Sequence, residues 1–202
     1  MLAVHNKKNE LTLRTMLVEQ FVMSSVVLWE SFLNDLFLAY ALEQPETALG
    51  SLRKRITQSI DGKFGQHAAS CFQFSVKKPL TKQRLIALLD PKNWNITVTS
   101  AQELASKAND LLHARFAKTF SLTKTDGQFF DYVIALRNFL SHRSKGSRAI
   151  LNEAVARLTE PENHVFKGST KNIGGYLKTT GPNAETRAIA LAARLVSFAS
   201  KL

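Results

Sequence analysis

The chain has 202 residues and a formal net charge of +11, from 27 Lys and Arg against 16 Asp and Glu, with an isoelectric point near 10.0. Its 45% hydrophobic and 21% charged residues exclude a disordered chain, and its single cysteine, Cys71, excludes an intramolecular disulfide framework and a cysteine-rich zinc site. The length predicts one domain over residues 1–202 with a core of its own, and the basic excess favours a polyanion such as nucleic acid as partner.

Residues 1–10 lack the cationic-then-apolar layout of a signal peptide. A long first helix is predicted over residues 9–43. Val22, Val26, Trp29, Leu33, Leu36 and Tyr40 recur at spacings of four and three, and Phe21, Leu28 and Phe32 form a second apolar line beside them. A helix apolar on two sides has one for its own core and one for a partner chain. Glu30, Asn34 and Asp35 interrupt the apolar run 21–42, which makes it a poor membrane span. A cytoplasmic protein with no membrane partner is expected. Pro45 ends the helix.

A basic helix over 46–59 follows, then an ambiguous stretch over 61–78 in which Cys71 to Val76 alternate like a short extended segment. Thr81 caps a helix that stops before Pro91, and residues 93–99 read as an extended loop. Ser100 and Glu103 form a capping box opening a helix to about residue 120. Thr125 and Gln128 form another, opening a helix to about residue 143. Residues 149–158 are helical, 168–181 a loop with Gly174 and Gly175, and 183–201 a final amphipathic helix. The sum is an all-α bundle with a long first helix and an irregular central excursion.

No Gly-rich phosphate loop follows a strand, and Gly174-Gly175 lacks the Lys-Ser/Thr of a P-loop. No His-x-x-x-His or Cys-x-x-Cys pair is present, so neither a metal nor another cofactor is expected. His5, His67, His113 and His164 are scattered, and Cys71 lacks a nucleophile's context.

The segment from Phe129 to His142 is different. At about 100° per residue, Phe129, Val133, Leu136 and Leu140 share an apolar arc, while Asp131, Asn138 and His142 fall within about 40° of one another on a polar one. An imidazole one turn from an amide and in line with a carboxylate suits acid–base work. Arg137 lies about 140° from His142 around the helix. The two converge most easily if Arg137 of one chain meets His142 of another across a two-fold axis. Ordinary solvated residues at a helix end fit the same spacing. Arg143, Lys145 and Arg148 continue as a basic run that suits flanking phosphates or a solvated helix end equally. Glu30 is a surface residue of the first helix or reaches this motif.

Arg137-Asn138-Phe-Leu-Ser-His142 resembles the Arg-x4-His motif of the HEPN superfamily, with a polar residue after the arginine and a place near the end of a late, buried helix. Trp29-Glu30-Ser31-Phe32-Leu33 is similar to the opening helix of those domains, and Gly175 to Lys178 with residues 187–201 to the closing helix of one branch. The resemblance implies a helical bundle, a homodimer and, in active members, metal-independent endoribonuclease activity. It implies that His142 acts as base or acid on the 2′-hydroxyl or leaving 5′-oxygen, that Arg137 stabilises phosphate charge, and that Asn138 orients either. It also implies a toxin or antiviral effector, accompanied in many cases by an antitoxin protein. A catalytically silent HEPN-like module that binds RNA or protein is the alternative, and a helical adaptor with no nucleic-acid role fits the charge poorly.

Overall fold

The computed structural model describes residues 2–73, 75, 81–89, 98–158, 172–180 and 185–202, with the side chains of 2–8 and 88–89 left aside. Among the described residues it is all-α, with one isolated bridge, Thr180 to Thr186, and no strand. Contacts group the chain into two compact units, Met1–Phe32 with Thr99–Ala101 and Leu122–Leu202, and Leu33–Val98 with Gln102–Ser121. The first helix, α1 (Leu2–Glu43), runs through both. No glycine or proline interrupts residues 1–44, and Pro45 opens α2 (Pro45–Phe64), so the helix ends where its hydrogen bonding is broken.

The first unit holds the start of α1 with α7 (Lys124–His142), α8 (Lys145–Arg157), α9 (Ile173–Lys178) and α10 (Arg187–Ala199). Its core is aromatic. Trp29 of α1 lies 5.3 Å from the Phe130 ring and 5.4 Å edge-on from Phe198, and Phe129 lies 6.3 Å from Phe198. Val22 and Val26, on the same face of α1 as Trp29, are fully buried. The opposite line is left out: Leu17 is 60% and Leu28 72% exposed, and Leu13, Met16, Phe21, Val27 and Phe32 are also large and exposed. Residues 9–43 are long and apolar enough to cross a membrane by length and composition, with a third of the most apolar window buried.

The second unit holds the last turns of α1 with α2, α3 (Gln66–Ser70), α4 (Lys82–Leu89) and most of α5 (Ala101–Leu111), followed by α6 (Ala114–Ala117) and a 3-10 turn, Lys118–Phe120. Phe37 packs 5.5 Å from Phe120, and Tyr40 stacks on Phe116 at 4.4 Å. Ser51 donates a 2.6 Å hydrogen bond to Asp110.

Several expectations are corrected. The buried line of α1 does not continue through Leu36 and Tyr40, which are half-buried, but through Phe37, Leu38 and Ala41. The described residues of 71–76 form no strand. The helix from Ala101 stops at Leu111, because His113 caps the next one: its ring accepts from the Arg115 amide at 3.4 Å. The motif helix begins under Thr123, not Thr125. α8 starts at Lys145 behind a Ser144–Ser147 capping box, four residues before the expected start. Residues 173–178, expected as loop, are helix α9, and the final helix begins at Arg187. The loop expected over 93–99 lies mostly outside the described residues, as do Pro91, Pro161, His164 and 168–171.

Candidate active site on helix α7

The helix that carries the motif is anchored before it reaches it. The Thr123 hydroxyl accepts from the Asp126 amide at 3.1 Å, and Asp126 in the first turn complements the helix dipole and faces Lys201 at 3.2 Å and Arg194 at 3.7 Å. From Phe129 to Leu136 every residue but Asp131 is buried, so α7 is enclosed nearly all round and not along one arc. That enclosure fixes the rotation of the helix and with it the direction of the polar groups at its end.

Arg137 and Asn138 are half-buried. Arg137 Nη1 donates to Asn138 Oδ1 at 2.8 Å, and Nη2 stands 3.2 Å from Glu30 Oε2. The guanidinium thus lies against Asn138, the residue one turn before His142. Glu30 reaches the motif from α1, in the direction the Trp29-Glu30 segment allows. Burial raises the Glu30 pKa; the charge of Arg137 and its hydrogen bond pull it down and are the smaller effect. His142, one turn beyond Asn138, ends α7 and is exposed. Ser141 beside it touches Met23 of α1 at 4.0 Å.

All three residues of the basic run are exposed, and two of them also make contacts within the chain. Arg143 takes a left-handed backbone (φ 50°), terminating α7 with its amide donating to Phe139 O at 2.9 Å. Its guanidinium pairs with Glu19 of α1 and lies 5.5 Å from the Phe139 ring centre, with Arg148 at 5.4 Å from the same ring. Lys145 is exposed at the start of α8. Arg143, Lys145 and Arg148 therefore gather at the α7–α8 junction beside His142.

Asp131 is the motif-helix residue that the structure takes out of the site. It accepts the Ala101 amide at 2.7 Å and so holds the start of α5. Eleven residues at about 1.5 Å each put it about 16 Å along the axis from His142. Glu19 is the residue that sequence reasoning missed. Its signal was its distance from Glu30: eleven residues are three turns, so both carboxylates share one face of α1. Glu30 meets Arg137 of α7, and Glu19 meets Arg143, which caps the end of that helix. Gly174 closes the cluster, since a Cβ there would stand 2.5 Å from Glu19 Oε1. Among the described residues no three His, Cys, Asp or Glu side chains gather as a metal site.

Compared with protein-family models, with characterised proteins and with solved structures, the chain finds no significant match.

Proposed function

We propose that the chain is a HEPN-like, metal-independent endoribonuclease that works as a homodimer, with Arg137, Asn138 and His142 as its reacting set. The observation that carries this reading is a fixed cation and an accessible imidazole near the end of one helix. Arg137 is held between Glu30 and Asn138, and His142 is exposed one turn on. In the proposed reaction the ribose 2′-oxygen attacks the adjacent phosphorus and the 5′-oxygen leaves. His142 takes the proton from the 2′-hydroxyl or returns one to the leaving oxygen, and Arg137 stabilises the charge that builds on the phosphoryl oxygens. The products are a 2′,3′-cyclic phosphate and a 5′-hydroxyl. The 2′-hydroxyl as nucleophile restricts the reaction to RNA. Arg143, Lys145 and Arg148 hold flanking phosphates. A toxin or phage-defence effector, restrained by an antitoxin protein, belongs to the same proposal.

The exposed face of α1 supports the dimer. Its Met16–Val27 edge runs beside Met23, which touches Ser141 of the motif helix, so a second copy seated there reaches the flank that carries His142. In this arrangement Arg137 of one chain serves His142 of the other. The test is cleavage of RNA in EDTA by wild type and His142→Ala. We expect cutting by wild type and a loss of about 10² to 10⁴-fold in the variant. Cutting that disappears in EDTA and returns with a divalent ion refutes the metal-free mechanism. An inert wild type that still binds RNA leaves the silent module.

A further inference from the structure

Arg137 is gripped on two of its terminal N–H groups. Asn138 takes one at 2.8 Å from within α7, and Glu30 faces the other nitrogen at 3.2 Å from α1. A guanidinium carries five N–H donors in one plane, so the remainder stay available to a phosphate. Resting on the reading of Arg137 and His142 as an RNA-cleaving pair, we infer that Glu30 is a positioning residue with two opposed effects: it fixes the Arg137 guanidinium for the transition state, and its negative charge weakens the hold of that guanidinium on RNA.

The first effect follows from the side chain's length. An arginine on a helix end samples many rotamers, and stabilisation of a developing charge depends on donors already in place. One contact within the same helix fixes one edge of the guanidinium. A second contact from a different helix fixes its plane. The second effect is Coulombic. A phosphate that binds the outer donors of Arg137 shares the cation with the Glu30 carboxylate and is repelled by it. Glu30 is also a costly place for a charge. Its side chain is only 25% exposed, and its pKa is raised by that burial in spite of Arg137.

Glu30→Gln is the test, because glutamine keeps the shape and removes the charge. The measurements are kcat and KM for an RNA oligonucleotide and Kd for its 2′-O-methyl analogue, which cannot be cut. Exchanging the charge-assisted contact for a weaker neutral one loosens the plane and should lower kcat about tenfold to a hundredfold. Loss of the carboxylate should tighten Kd about threefold, since the exposed part of the site is screened. Misfolding would weaken binding and cleavage together, so the opposite signs identify the positioning role. A variant that cuts like wild type, or binds more weakly, overturns the inference while leaving the nuclease standing. An inert wild type overturns the nuclease, and tighter binding by Glu30→Gln then still reports the carboxylate's hold on Arg137.

Discussion

Glu30 ties the proposed site to stability through one proton. Its folded pKa lies above the unfolded value, so the folded chain holds that proton more tightly. The stabilisation this gives is complete below the unfolded pKa and is lost as pH rises through the folded one. Ionised Glu30 therefore costs stability at neutral pH. Glu30→Gln should melt at a higher temperature than wild type at pH 7, and the gap should close below about pH 4.5, where both side chains are neutral. Melts across that range decide it; a less stable variant at pH 7 means that the Arg137 pair outweighs burial. Gly174 makes a second residue-level case. A methyl group there would land 2.3 Å from Thr15 Cγ2 and 2.5 Å from Glu19 Oε1. Neither neighbour gives way freely, since Glu19 pairs with Arg143, and the Thr15 hydroxyl accepts from Lys178 and donates to Leu11 O. Gly174→Ala should force α9 off α1 at a cost of about 1–3 kcal/mol, which calorimetry reads as a drop of about 2–12 °C in Tm. An unchanged Tm would show that α9 can reseat without these contacts.

Helix α7 carries two jobs, and Asp131 separates them. Its carboxylate accepts the Ala101 amide at 2.7 Å, so Asp131→Ala should cost about 1 kcal/mol, as the loss of a capping acceptor does, and leave cleavage unchanged. A large fall in kcat with the fold intact would return Asp131 to the chemistry. Periodicity placed Asp131 on the arc of His142 because an arc records azimuth and not distance along the axis. The same periodicity located the buried line Val22, Val26, Trp29 and Leu33, since an uninterrupted helix keeps its phase. The sequence pattern chose Thr125 with Gln128 as the cap of α7, yet Thr123 also has a polar residue, Asp126, three positions on. The choice falls to Thr123 with Asp126, whose carboxylate also faces Lys201 and Arg194. α9 was illegible because Gly174-Gly175 reads as a loop, whereas the missing Cβ of Gly174 is what lets this short helix close on α1. Arg137, Asn138 and His142 were legible as a motif within one helix. Glu19 was not, because its meaning lies in a contact with Arg143, 124 positions away.

At the scale of the whole molecule, charge and assembly make separate predictions. The basic cluster of Arg137, Arg143, Lys145 and Arg148 should give RNA binding a log–log salt slope of about −2 to −3, at about −0.7 per phosphate on a single strand. Lys145→Ala with Arg148→Ala should flatten that slope by about 1 to 1.5, and an affinity insensitive to salt argues for a protein partner instead. Assembly is read first by light scattering. The exposed α1 face predicts a dimer at micromolar concentration, and Leu17→Glu, which places a charge on it, should give monomers. The composite site is then tested by mixing. Arg137→Ala and His142→Ala chains are each expected to be folded, dimeric and inactive, since neither substitution removes core volume. A heterodimer of the two holds one site in which the arginine of one chain and the histidine of the other are both intact, and one site lacking both. Activity should therefore return to roughly half that of the wild-type dimer by site counting. Verified heterodimers that stay inactive would place Arg137 and His142 of the same chain in one site. Arg137 lies against Asn138, one turn before His142 on the same helix, so the mixing experiment discriminates between two arrangements and not merely for or against one.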